Sequence, residues 1–324
     1  MPNRLPSHNV PISLIADVLN YMVVNPLYNI ADLRSFTSKS EPYVRSSITI
    51  CKLLEIINED GIIDSFVNKL GITPNDEVKY KVIRKYIQEY EPFITFIQYN
   101  LNGNTLDEAA RKVYVMYGFQ GKDHLFLKGL FLTWGESTGI FTNIQNQIVL
   151  TEKINKRILD ISEVNVNLDE DMAIRMYISD SLGVDVYSTM SSVEIDELVD
   201  AMKRCSKDAR GAIECAGRAF EDFLRRRASF VNIDVTRKSG IGQVINALYN
   251  NKDSSGNMDN KIHSKQYAIG GAIGDIRNMA GHSLESRTME RWDLTNQTAE
   301  NYVKLVLRTI RSIYIYTDNS RYSF

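Results

Sequence analysis

The first 75 residues alternate between apolar stripes of helical spacing and short polar interruptions. The segments ISLIADVLNYMVV (12–24) and IADLRSF (30–36) repeat apolar residues at intervals of three and four, which is typical of amphipathic helices. A third segment starts at EPYVRSS and continues this spacing through Val44, Ile48, Cys51, Leu54 and Ile57. We therefore predict three consecutive helices, the third closed by the polar stretch EDGIID (59–64).

A short middle helix, a turn at TSKSEP (37–42) and a longer third helix follow the order of a winged helix-turn-helix. We predict a winged-helix-like module for residues 1–75. The helix that would read DNA has only Lys39, Arg45 and Lys52 in or near it, among acidic residues. The pattern therefore favours a protein partner over a nucleic acid at this module, and both stay open.

Residues 76–160 are predicted to form a second winged-helix-like module. In NTLDEAARKVYVMYG, Thr105 precedes an acidic first turn and is a candidate N-cap. HLFLKGLFLTWGESTGIF supplies a second helix, in which Trp134 is expected in the core, and TNIQNQIVL (142–150) alternates like one short strand. The mixed, acidic stretch 161–190 is predicted to be a helical connector.

A helical domain is predicted for residues 191–324, which makes the fold class mainly α. Its strongest stripe lies in 208–227 and consists of Ala209, Ala212, Ile213, Ala216, Phe220 and Phe223. The opposite face offers acid-first i,i+4 pairs, namely Glu214/Arg218, Glu221/Arg225 and Asp222/Arg226. A final helix, about 296–316, repeats Ala299, Val303, Val306, Ile310 and Ile313.

Between these helices lies AIGGAIGDIRNMAGH (268–282), which wraps well as a helix. Its predicted core stripe is Ile269, Ile273, Ile276 and Ala280, and a polar stripe carries Asn278 and His282. Each glycine costs a helix about 1 kcal/mol relative to alanine. The four glycines at 270, 271, 274 and 281 therefore indicate close approach of another backbone or a ligand, and the alternative is a loose glycine-rich loop.

Composition narrows the class of protein. The chain is 44% hydrophobic and 24% charged, as in globular proteins, and no apolar run reaches the ~18 residues that span a bilayer. Because MPNRLPSHNVPISL has no apolar core of signal-peptide type, we expect a cytoplasmic protein. The three cysteines and four histidines are scattered, so we predict no metal site and no cofactor.

Charge is unevenly spread along the chain. Residues 201–324 contain 20 Lys and Arg against 13 Asp and Glu, whereas residues 1–200 contain 18 against 27. Such asymmetry is expected if the C-terminal part binds a polyanion. Mutual attraction of the two parts explains it equally well.

The paired amphipathic helices, the polar segment 250–261 and the late RNMAGH resemble the HEPN superfamily, in particular its abortive-infection C-terminal domains. The motif of that family is an arginine, four to six further residues and a histidine, often with a polar residue directly after the arginine. It maps onto Arg277, Asn278 and His282. The resemblance runs from near residue 195 to the C-terminus and implies a HEPN-type helical bundle.

These residue types suit metal-independent RNA cleavage. A histidine can move a proton of the ribose 2′-hydroxyl or of the leaving oxygen, and a guanidinium can bridge two phosphate oxygens. We expect Arg277, Asn278 and His282 to be catalytic, with Asn278 orienting the phosphate or the imidazole. The resemblance further implies a homodimer whose two motifs line one cleft.

A basic cluster lies upstream of the motif, at 225–227 and 237–238. We expect Arg227, Arg237 and Lys238 to bind the RNA backbone. The alternative for the arginines at 225 and 226 is a solvated helix end, where cations are favoured by the helix dipole.

The sequence thus predicts an RNA endonuclease of bacterial antiviral defence, abortive-infection or toxin type, with the winged-helix modules as sensors or partner-binding modules. Two other classes remain open, because HEPN-like domains include non-catalytic members. One is a DNA-binding transcriptional regulator, and the other is a nucleotide-binding scaffold, each with a HEPN domain that only dimerises.

Overall fold

The computed structural model describes residues 3–58, 61–62, 67, 76–151, 168–281 and 292–324. Most of them are helical, which confirms the mainly α fold class. The chain divides into two compact units, Met1–Arg157 with Val166–Ala173 and Ile158–Asn165 with Ile174–Phe324. Within the described residues, no helix is both long enough and apolar enough to cross a bilayer.

The first unit begins with three helices and a small hairpin. These are α1 (Ile12–Val24), α2 (Ile30–Thr37), α3 (Glu41–Leu53), β1 (Ile57–Asn58) and β2 (Gly61–Ile62). A capping box fixes the start of α2, because Asn29 accepts the amide of Asp32 while the Asp32 carboxylate accepts the amide of Asn29. The helix ends at Ser38, whose φ is 54°. The three predicted helices are present, and α1 packs against both of the others. The predicted end of the third is wrong, because α3 stops at Leu53 and Ile57 belongs to β1.

Four further helices and a second hairpin follow in this unit. They are α4 (Asp76–Glu89), α5 (Glu91–Leu101), α6 (Leu106–Met116), α7 (His124–Ser137), β3 (Phe141–Ile144) and β4 (Gln147–Leu150). Thr105 caps α6 as predicted, and Trp134 is fully buried among phenylalanines. The prediction of one strand at 142–150 is wrong, because Gln145 and Asn146 adopt positive φ and form a two-residue hairpin turn.

The second unit is a helical bundle. Its helices are α8 (Leu168–Leu182, where the two units divide), α9 (Val184–Tyr187), α10 (Ser192–Arg204), α11 (Ala209–Phe230), α12 (Gly240–Tyr249), α13 (Ser264–Gly281) and α14 (Asn296–Asn319). Helix α11 is central and packs against α10, α12, α13 and α14. The apolar stripes predicted for α11 and α14 are buried throughout.

The ion pairs of α11 differ from the predicted ones. Glu221 and Arg225 pair as expected, with Arg225 Nη2 2.6 Å from Glu221 Oε1. Arg218 instead forms two hydrogen bonds of 2.8 Å to Glu197, which raise its pKa, and Arg226 donates to Glu194. Both glutamates lie on α10. Arg218 and Arg226 therefore pair with the neighbouring helix instead of with the acids four residues earlier on α11, and they hold α10 against α11.

Candidate active site

Helix α13 carries the predicted motif, and its buried face differs from the predicted one. Ile273 and Ala280 are buried as expected, but Ile269 and Ile276 are only half-buried. The other buried positions are Gln266, Gly270 and Gly274. The core face is therefore turned towards the glycines.

The glycines explain why the buried face differs from the predicted one, because their lack of a side chain lets helix α12 of the same chain pack closely against α13. A Cβ on Gly270 would overlap Ile245, and one on Gly274 would lie 3.4 Å from Ile241. Close approach is thus seen at two of the four glycines, with an intramolecular partner, whereas a Cβ on Gly281 would only lie 3.9 Å from Glu214 Oε1. A Cβ on Gly271 would meet nothing within 4 Å, so this glycine faces open space.

Arg277 lies across the interface between α13 and α11. Its side-chain stem occupies the space above Gly217, where a Cβ would come within 2.6 Å of Arg277 Cγ. The guanidinium Nη1 lies 3.6 Å from Oε2 of Glu221, and the two side chains are 31% and 15% exposed. Beside it, the Tyr302 hydroxyl donates to the Ile273 carbonyl at 3.1 Å, and burial raises the pKa of Tyr302 against an opposing effect of Arg277. The stem of Arg277 is therefore packed against α11, while the side chain as a whole is only partly buried.

Glu221 joins the motif arginine to a neighbouring loop. Its Oε1 accepts two hydrogen bonds from Arg225 while Oε2 faces Arg277. Arg225 also donates to the carbonyls of Val235 and Lys238, at 3.3 and 2.9 Å. One carboxylate thus couples Arg277 to the loop that leads into α12. The sequence showed only the Glu221–Arg225 spacing and gave no sign of the contact with Arg277.

Asn278 is exposed on a different face of α13 from Arg277. It lies at the rim of a groove of about 380 Å³ between α12 and α13, together with Asp275, Gly271 and Tyr267. Neither Asn278 nor Asp275 makes a hydrogen bond or ion pair in the part of the chain that the structure describes. The Asn278 amide is therefore available to a ligand. Asn278 follows Arg277 in the sequence, but its side chain lies on the side of α13 that faces α12.

Arg210, at the start of α11, holds the C-terminal end of α13. Its Nη1 donates to the carbonyls of Met279 and Ala280 at 3.0 and 2.9 Å, and its Nη2 donates to the carbonyl of Trp292. These carbonyls belong to the last turn of α13 and to the residues that precede α14. Sequence reasoning missed this residue, since nothing local marks an arginine whose partners lie 69 to 82 positions away.

The predicted RNA-binding residues occupy two environments. Arg227 is 4% exposed, donates to Thr317, and lies 4.2 and 4.6 Å from the ring centres of Phe230 and Tyr314. Burial lowers the pKa of Arg227. Its guanidinium serves the packing of α11 on α14 and is not presented to solvent.

Arg237 and Lys238 are both exposed, in the loop that Arg225 holds.

His282 lies outside the described residues, so its position relative to Arg277 stays a prediction. In the described ranges, no three His, Cys, Asp or Glu side chains are grouped so as to hold a metal ion.

No protein-family model, curated protein or solved structure matches this chain.

Proposed function

We propose that this protein is a metal-independent RNA endonuclease that cleaves by attack of a ribose 2′-hydroxyl, with Arg277, Asn278 and His282 as its catalytic residues. The proposal includes the HEPN-type assignment of residues 191–324 and a cytoplasmic role in antiviral defence, abortive infection or toxicity. One observation carries it: Arg277, near the end of α13, packs its stem into the gap above Gly217 and faces Glu221 with its guanidinium, yet its side chain remains 31% exposed.

This placement suits a phosphate ligand better than a purely structural role. A guanidinium that only joined two helices would be expected to share two short hydrogen bonds with its carboxylate, as Arg218 does with Glu197 at 2.8 Å. The distance from Arg277 to Glu221 is 3.6 Å, which is an ion pair without a close hydrogen bond. Phosphate oxygens can therefore engage Arg277 without disrupting a strong internal contact.

The reaction follows from the chemistry of these groups. A base removes the proton of the 2′-hydroxyl, whose oxygen attacks the adjacent phosphorus, and the bond from phosphorus to the 5′-oxygen breaks as an acid protonates that oxygen. The products are a 2′,3′-cyclic phosphate and a 5′-hydroxyl. Arg277 stabilises the negative charge that develops on the phosphate oxygens, Asn278 orients the phosphate or the imidazole, and His282 transfers the proton.

A second copy of the chain completes the site in this proposal. One histidine per chain serves poorly as both base and acid, whereas two facing motifs supply both. Gly271 remains open on α13, so the homodimer is proposed to use this face. The interior glycines 270 and 274 are already occupied by α12.

The N-terminal region is proposed to be a pair of winged-helix modules, residues 1–75 and 76–160, followed by the connector 161–190. The order of three helices and a hairpin in α1–β2, and of two helices and a hairpin in α6–β4, supports this. We propose that they bind a protein partner or a specific nucleic acid that controls cleavage.

The test is an RNA cleavage assay on the full chain with and without EDTA. Arg277→Ala and His282→Ala should each lose at least ~100-fold in rate, the scale of one charge-stabilising or acid–base group. Activity should survive EDTA, and the products should end in a 2′,3′-cyclic phosphate or 3′-phosphate. Arg218→Ala is the matched control, because this arginine lies on the neighbouring helix and pairs with α10.

Full activity in both motif variants, or strict dependence on magnesium, would remove the site assignment. A wild-type chain that cuts no RNA but binds duplex DNA at nanomolar concentration would favour the transcriptional regulator. Light scattering over a concentration series tests the dimer, since a monomer with full specific activity contradicts a shared cleft.

A further inference from the structure

One tryptophan stands exposed beside the end of α13. The chain has two tryptophans. Trp134 is fully buried in the first unit, whereas Trp292 is 51% exposed. Trp292 forms a wall of a cleft of about 530 Å³, together with Lys207, Arg210 and Asn296. A half-exposed indole at the wall of a cleft leaves part of a flat aromatic ring open to a stacking partner.

The backbone that carries this ring is fixed. The Trp292 carbonyl accepts from Arg210, which also holds the carbonyls of Met279 and Ala280. Asn296 donates its amide to a backbone carbonyl of the α10–α11 connection at 2.8 Å. The backbone of Trp292 is thus held next to the last turn of the helix that carries the motif arginine, and little ordering of the main chain would be needed on binding.

The charges around the cleft divide into engaged and available groups. Asp208 is engaged, since it accepts the Gly211 amide at 2.9 Å and pairs with Arg204 at 3.3 Å. Lys207 is exposed, and among the described residues no carboxylate pairs with it. Asp293, next to the tryptophan, is an exposed carboxylate. A phosphate is therefore disfavoured directly at the indole and favoured near Lys207.

We propose that Trp292 is a stacking platform for one unpaired nucleobase of single-stranded RNA, with Lys207 holding an adjacent phosphate. This inference rests on the proposed function and deepens it, because it names the substrate as single-stranded at the cleavage site. Every base has a flat face that stacks on an aromatic ring, whereas the faces of paired bases inside a duplex are covered. The site therefore selects single strands without selecting a sequence.

The experiment measures binding separately from cleavage. An octaribonucleotide with 2′-O-methyl groups at every ribose lacks the attacking hydroxyl and stays intact. Added to the full-length protein, it should quench tryptophan emission, and the same sequence as a duplex should quench far less. Trp134 is buried in the other unit and serves as the unquenched reference, while anisotropy of a fluorescein-labelled octamer gives the affinity independently.

Three variants make the test specific. Trp292→Phe should abolish the quench but keep affinity within about threefold, because the phenyl ring still stacks. Trp292→Ala should weaken binding by about 5- to 150-fold, the range for one stacked base. Tyr322→Ala is the control, since this exposed aromatic contacts His263 and Tyr316 elsewhere in the unit and its loss should leave affinity unchanged.

Unchanged affinity in Trp292→Ala, equal weakening by Tyr322→Ala, or failure of the wild type to bind the octamer would each overturn the stacking site. If the wild type still cleaves unmodified RNA in those cases, the proposed function stands without it. If the octamer quenches Trp292 as expected but no RNA is cleaved, the stacking site stands and the endonuclease fails.

Discussion

Replacing Gly217 by alanine tests directly whether the stem of Arg277 is held against α11. Gly217 lies inside α11, and a methyl group there would come within 2.6 Å of Arg277 Cγ and 3.2 Å of the Tyr302 hydroxyl. The first distance is far below the ~3.5–4.0 Å at which carbon atoms pack. Since Cγ lies in the middle of the stem, the arginine can relieve the overlap only by shifting the whole side chain, which changes the position of its guanidinium relative to Glu221.

Two opposing effects set the expected change in stability. Alanine is favoured over glycine in a helix interior by about 1 kcal/mol, whereas an added methyl in a packed interface costs about 1–3 kcal/mol. The variant should therefore lose about 0–2 kcal/mol in the free energy of unfolding. Cleavage should fall by more than this loss explains, towards the level of Arg277→Ala, because the displaced guanidinium no longer faces the phosphate.

Gly129→Ala is the matched control, because Gly129 lies inside α7 of the first unit and a Cβ at this helical position meets nothing within 4 Å. Without an opposing overlap, it should gain about 1 kcal/mol and raise the Tm by about 2–4 °C. Thermal unfolding followed by circular dichroism compares the two variants, and the RNA assay follows activity. If Gly217→Ala gains as much stability as Gly129→Ala and cleaves like the wild type, the stem of Arg277 does not depend on this gap and the reasoning is refuted.

Two further predictions concern the basic cluster and the cysteines. Arg227→Ala should lower the free energy of unfolding by about 2–5 kcal/mol, as removal of a buried side chain does. The double variant Arg237→Ala with Lys238→Ala should leave the Tm within about 1–2 °C and make RNA binding less salt-dependent. Denaturation curves and a salt titration of RNA binding check both variants, and the opposite pattern would contradict the placement of Arg227. Burial raises the pKa of Cys205 to about 12, so at pH 8 its thiolate fraction should be roughly 1,000-fold below that of an ordinary thiol. The thiol reagent DTNB should therefore label Cys205 only when the protein unfolds. Fast labelling of Cys205 in the native state would show that the site opens.

Much of the secondary structure could be predicted from the sequence because its causes are short-range. The apolar spacing of α1, α11 and α14 defines their buried faces, and Thr105 caps α6 through contacts three residues away. The assignment of Arg277 and Asn278 comes from the resemblance to the HEPN motif and stays a prediction. In contrast, the reversal at Gln145 and Asn146 was missed, because alternation alone does not distinguish one strand from a hairpin.

The arrangement around the motif was decided by tertiary packing. Which face of α13 is buried depends on α12 entering the space left by Gly270, and the partner of Arg226 depends on α10 lying beside α11. Arg227 reads as a solvent-facing cation in the sequence, yet it packs between Phe230 and Tyr314. Arg210 meets Trp292 only because the fold brings together residues 82 positions apart. Local spacing determines which face a helix buries by default, but only the packed neighbours determine what each long polar side chain on that helix finally contacts.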